Sequence, residues 1–385
     1  MTFRSKLPAL LFASATMLSF SAYSDILDIF RSEALTNGSQ FAFAPSTSHN
    51  SIVAIDTLEH KIVAELDIPH VAHSVIASDE LDLLIATHPE DESVTVINLY
   101  TREVIQELDI GMRPDAALLN PFDRFIAFGS KDGSVSVWDM SSYKQMLRVD
   151  GLTSALAMTF GFDGRNLYVV EPEEKRISVI EMRLRKKVAE IPLGGEADHA
   201  AQVSALSRSA DGYTGYVSVT SEDRVVVVDL IEWTVKASVP VGKGPIRTYS
   251  TADNRYVLVP NKGDQTLTVL SALSRQVIAT IPTGVDAKAI NTGWLDTVAF
   301  IMPATGDEIA VIDLRELKQK DAIKLPGRTD EGLVTSDSKT LLASIVDTGQ
   351  IAVINARSLE LEALIDSNAS TLSGIEIAVS NNVCH

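Results

Sequence analysis

The sequence predicts an all-β protein, an eight-bladed β-propeller of four-stranded antiparallel blades, and three observations predict it. An apolar strand ending in a short polar residue occurs eight times: SIVAID, SVTVIN, SVSVWD, RISVIE, RVVVVD, TLTVLS, EIAVID and QIAVIN. Their last residues, Asp56, Asn98, Asp139, Glu181, Asp229, Ser271, Asp313 and Asn355, are separated by steps of 42, 41, 42, 48, 42, 42 and 42 residues. A period of about 40–45 residues with several strands per unit marks a propeller blade. The third observation is that the two ends of the repeat complement each other.

Each unit reads as four short strands. The second runs HSVIAS, DLLIATH, SVTVIN and REVIQELDI, and the sixth PIRTYST, RYVLVP, TLTVLS and QVIATIP. β-Branched and aliphatic residues alternate with polar ones, and Gly, Asp or Asn cluster between the runs. One such sheet cannot cover its own two faces, whereas blades stacked around an axis can. The repeat opens with FAFAPS, a second strand lacking an inner strand before it, and closes with a spare inner strand, GIEIAVS, from Gly374 to Ser380. Joined, the two complete the first blade. Seven blades, the alternative, would leave one unit unused. The expected organisation is a signal peptide over 1–24, a segment without assigned structure over 25–40, one propeller domain over 41–380 and a tail over 381–385.

Arg4 and Lys6 precede the apolar run Leu7–Phe20, and Ala22 and Ser24 stand at minus three and minus one of a cleavage point after Ser24. That is the pattern of a secretory signal peptide, so a periplasmic or secreted protein is expected. No later run approaches the roughly 18–20 apolar residues that span a bilayer. The formal net charge of −18 disfavours nucleic acid and anionic lipid as partners. Cys384 is the single cysteine, so the fold is held by packing rather than by intrachain disulfides.

The IPTG run at Ile281–Gly284, YVLVPN from Tyr256 and the strand ending Val-Ile-Asp resemble YVTN repeats. These are the repeats of YncE-like bacterial propellers, grouped with the cytochrome d1-type haem domains of nitrite reductases. The resemblance covers the chain from the first repeat to the last. It implies the WD40-like blade architecture and, through eight blades, the d1-haem branch. It transfers no catalytic residue, because no local motif matches that branch's haem-binding histidines.

The repeat also sorts residues onto two rims. Loops from strand two to three and from strand four to the next strand one share one rim; the three-to-four turns occupy the other. His49, His70, His73, His88 and His199 fall on the first rim, and His60 on the second. Clustered imidazoles are candidate ligand-binding or metal-binding groups, His70 and His73 foremost, with Glu90, Asp91 and Glu92 nearby. Solvated loop histidines are the competing reading. Arg113, Arg247 and Lys288 stand at or before inner strands, placed to hold an anion at the channel or to pair with Asp115, Asp286, Asp330 or Glu331.

No CxxCH, GxSxG, HExxH or P-loop is present, and three tryptophans are too few for tryptophan-docked propellers. KDGS and FDGR read as hairpin turns. Cys384 and His385 read as a tail, with a soft-metal or intermolecular disulfide role as the alternative. The expected function is therefore an exported binding or scaffold propeller, without an enzymatic motif, whose ligand or protein partner docks on the histidine-bearing rim. A haem- or transition-metal-dependent redox or cofactor-maturation protein is the alternative, and a lactonase-like hydrolase a further one.

Overall fold

The computed structural model describes residues 35, 40–46, 48–78, 80–194, 202–329, 331–367 and 375–377. Eight sheets stand around a central channel, each antiparallel and ordered from an inner strand outward. In blade 2 the order is Ser74–Ser78, Leu83–His88, Ser93–Asn98 and Glu103–Asp109. Blades 3, 4, 5, 6 and 8 repeat it, with inner strands Ala116–Leu119, Ala157–Phe160, Ser207–Arg208, Tyr249–Ser250 and Gly332–Val334. Blade 1 is built from both ends of the chain. Its strands Phe41–Pro45, Ser51–Asp56 and Lys61–Asp67 are completed by Glu376–Ile377, which pairs antiparallel with Ala42 and Phe43. The expected eight blades and the expected closure are both present.

The two middle strands of each blade are buried on both faces, which is why they read as nearly continuous apolar runs. Their side chains interlock with the next blade: Phe43 and Ala54 of blade 1 share a core with Leu84 and Ile97 of blade 2. The closing seam is packed in the same way, Ala44, Val53 and Ile55 meeting Leu342 and Val353 of blade 8. Of the segment 25–40, Leu35 and Gln40 are described; Leu35 is buried in the blade 1–2 core, its N–H donating to Leu99 O at 2.9 Å.

The eight repeated polar residues have one structural job. The side-chain oxygen of each accepts a backbone N–H from the turn that follows: Asp56 from Leu58 and Glu59, Asn98 from Thr101, Asp139 from Ser141, Glu181 from Leu184. Asp229 accepts from Ile231 and Glu232, Ser271 from Ser274, Asp313 from Arg315 and Glu316, and Asn355 from Arg357 and Ser358. A short polar side chain is needed because it must reach its own backbone two or three residues on. Four residues past each, the chain adopts a left-handed φ, at His60, Arg102, Tyr143, Arg185, Trp233, Arg275, Leu317 and Leu359. The outer pair is bulged just before the polar residue in seven blades. Blade 7 departs, its fourth strand broken into Lys318–Gln319 and Ile323–Lys324.

Candidate functional site

A second repeated device builds the upper corners. In blade 6, Asn261 at the end of strand two donates to the Thr268 hydroxyl, seven residues on, at 2.9 Å. In blade 4 the same position is Glu171, fully buried, which accepts from Ser178, from Arg176 at 2.9 and 3.1 Å, and from Thr153 N of the incoming loop at 2.8 Å. Burial pushes the Glu171 carboxyl up, but those donors outweigh it and hold the group below the usual carboxylate range.

In blade 2 this brace position is His88, 1% exposed. Its Nδ1 lies 3.0 Å from the carbonyl of Val71 in the incoming loop, and its Nε2 2.8 Å from the Thr95 hydroxyl. A carbonyl only accepts, so Nδ1 carries the proton and Nε2 accepts from Thr95. Burial lowers the His88 pKa, which the Val71 bond opposes and neighbouring His70 reinforces, so the ring is neutral. Both nitrogens are engaged by the fold.

Above this brace, the loops of blades 1–4 and blade 8 surround a cleft of about 980 Å³ at the channel mouth. His73, His88, Glu90, Asp91, Arg113 and Lys131 are among the residues lining it. His70 lies beside its wall, ring centroid 5.3 Å from His88 and Nδ1 3.3 Å from Asp91 Oδ2. Arg113 donates a fork of bonds to Glu90 at 3.0 and 2.8 Å and reaches Asp115 at 3.5 Å. The Glu90 fork holds the guanidinium pKa high, and Arg113 holds the Glu90 carboxyl low. Asp115 in turn accepts from the backbone N–H of Lys131 at 3.0 Å. Lys288 meets Glu331, on the cleft's far side, at 3.4 Å.

The structure thus brings together His70, His73, His88 and Arg113, with Lys288 joined through Glu331. It places His49 elsewhere, exposed in the blade 1 corner with Nδ1 3.0 Å from Ser48 Oγ. Arg247 lines a second cavity along the channel. His199, Cys384 and His385 lie outside the described residues, as does the expected signal peptide. Sequence reading missed Lys131, assigning KDGS to turn chemistry alone. The same rim-sorting rule places it on the upper rim, in the two-to-three corner of blade 3. Among the described residues, no group of three or more His, Cys, Asp or Glu side chains is arranged to hold a metal ion.

Fold and cleft together define the class: an eight-bladed β-propeller with a ligand-sized opening at one end of its channel. Residues 182–373 match the family model of YncE-like β-propellers, so that stretch carries the YncE-like repeat and the resemblance of the repeats is borne out. The solved structure described as "Dihydro-heme d1 dehydrogenase NirN in complex with DHE" superimposes with a TM-score of 0.75 at 18% identity, covering 90% of this chain and 77% of that one. The Cps50 (Swd1) propeller domain of Myceliophteria thermophila reaches 0.58 at 14% identity, covering 73% and 95%. Hydrazine synthase of Kuenenia stuttgartiensis reaches 0.55 at 12% identity, covering 84% and 94%. No match is found among curated proteins. At these identities the likeness is one of fold.

Proposed function

We propose that the protein is an exported binding propeller whose ligand is a small molecule held in the cleft over blades 1–3. The observation that carries this reading is the cleft itself. At about 980 Å³ it is at the upper end of small-molecule sites, which run to roughly 1,000 Å³. Its polar groups are of two kinds. His70, His88, Arg113 and Lys288 are engaged by Asp91, Val71 and Thr95, Glu90 and Glu331. The His73 imidazole and the Lys131 ammonium make no side-chain hydrogen bond or ion pair among the described residues, although Lys131 is near enough to Glu90 to help hold its carboxyl low. These two, with the exposed side of Arg113, offer a ligand an imidazole lone pair and positive charge for a carboxylate. Export is supported by the sequence of residues 1–24, and among the described residues no helix is long and apolar enough to cross a membrane.

One observation favours a more specific reading, a tetrapyrrole-type cofactor: the fold likeness over 90% of the chain to a protein described in complex with DHE. The residues present fit such a group in part. His73 supplies one open imidazole for an iron, and Lys131 and Arg113 supply charge for carboxylates. His88 is already committed to the fold. When bound, the iron would supply redox chemistry; the chain's own residues would orient the macrocycle and neutralise its carboxylates.

Titration with haemin, followed by absorption, separates the two readings. Under the tetrapyrrole reading haemin binds at one site, His73→Ala changes the spectrum, and Lys131→Ala weakens binding roughly tenfold, about the worth of one charge-assisted contact. Absence of haemin binding would reject that reading and leave the general one to be tested by the mass of ligand retained on the purified protein.

A further inference from the structure

A second cavity, sharing no lining residue with the cleft, lies further along the inner strands of blades 3–6, toward the one-to-two turns. It holds about 100 Å³ and is lined by Leu118, Met158 and Phe160 on one side and by Ser207, Arg208, Arg247, Thr248 and Ser250 on the other. Two arginines line it and no carboxylate does, among the described residues of a chain whose net charge is −18. The Arg208 side chain makes no ion pair or hydrogen bond among the described residues, and its Nε is buried without an acceptor.

The hydroxyls beside it are equally unsatisfied. Thr248 and Ser250 are each 3% exposed, and neither Thr248 Oγ1 nor Ser250 Oγ has a hydrogen-bond partner. Neighbouring polar groups are used: Ser207 Oγ donates to Thr248 O, and Thr159 Oγ1 donates to Leu206 O at 2.7 Å. Buried polar groups in folded proteins are nearly always paired, so orphaned donors around one cavity imply a missing acceptor. A guanidinium fork and two hydroxyls supply donors in the number and kind an oxyanion accepts.

We propose that the channel holds a small oxyanion of the phosphate or sulfate class in this cavity, bound by Arg208, Thr248 and Ser250. The anion supplies acceptors to donors that the fold leaves open, and it sits against the inner strands of blades 3–6, apart from the upper cleft and independent of what that cleft binds.

The test is thermal unfolding of the full chain titrated with inorganic phosphate and with sulfate, against chloride at equal ionic strength. The midpoint should climb with the logarithm of oxyanion concentration, as for a ligand binding the native state only, and chloride should not reproduce it. Arg208→Gln and Thr248→Val should each weaken the apparent affinity roughly tenfold or more, while the exposed outer-strand control Lys186→Gln leaves it unchanged. Crystals of the unaltered protein soaked in selenate should show an anomalous peak between Arg208 and Ser250, which decides the matter even where a variant fails to fold. Equal response to chloride, equal response in the Arg208 and Thr248 variants, or ordered water alone in the cavity would each overturn the proposal.

Discussion

His88 shows how a side chain can look like a ligand and serve as a brace. Its place at the end of strand two is filled by Glu171 and Asn261 in other blades, each bonded to a hydroxyl seven residues on. A histidine there must stay neutral, and burial lowers its pKa below the ordinary 6.5. The sign follows directly. Above 6.5 neither folded nor unfolded chain binds the proton; below it the unfolded chain binds first, so the brace's stabilisation is lost as pH falls. The fall in unfolding midpoint between pH 7.5 and 5.5 should therefore be smaller in His88→Asn, which copies the blade 6 brace. An unchanged or steeper fall would show that His88 is not the group responsible. The repeated polar residues are testable at the same scale. Asp229→Ala removes the acceptor of two turn N–H groups at 2.9 and 2.8 Å and should cost about 1 kcal/mol by denaturant unfolding, the size of a lost cap.

At the scale of the element, the strands were legible because apolar periodicity and turn chemistry agree along the whole chain. The turn-initiating Asp, Asn, Glu and Ser residues were visible at their period before their bonds were known. The left-handed residues four positions later were not, since His, Arg, Tyr, Trp and Leu stand where Gly would have advertised the conformation. Arg185, exposed with φ 55°, makes this measurable: Arg185→Gly should stabilise the protein by about 0.5–1 kcal/mol through relief of the left-handed penalty. The broken outer strand of blade 7 was also illegible, because DAIKLPG carries the same pattern as its intact counterparts. The brace explains why the site was only half readable. Sorting by rim placed His70, His73, His88 and Arg113 at one end of the channel, where the structure also has them, but sequence could not show which of them the fold had already engaged.

At the scale of the whole molecule, ring closure and the channel are linked. Strand Glu376–Ile377 completes blade 1, whose Pro45 and Ile375 line the upper cleft. A chain ending at Ser367 should leave blade 1 without its inner strand, lower the unfolding midpoint and lose cleft binding together; retention of both would contradict the closure. The closed ring presents a mouth lined by the His73 imidazole and the Lys131 ammonium, and a deeper cavity with unpaired buried donors. On the proposed reading the mouth binds a small molecule through His73 and Lys131. The most direct measurement is native mass spectrometry of the protein purified from an exporting host, beside the His73→Ala/Lys131→Ala double variant. A small-molecule mass is expected on the parent protein, with a roughly tenfold or greater loss of it in a variant of unchanged unfolding midpoint. A parent protein of bare polypeptide mass, or equal occupancy in both, would contradict it.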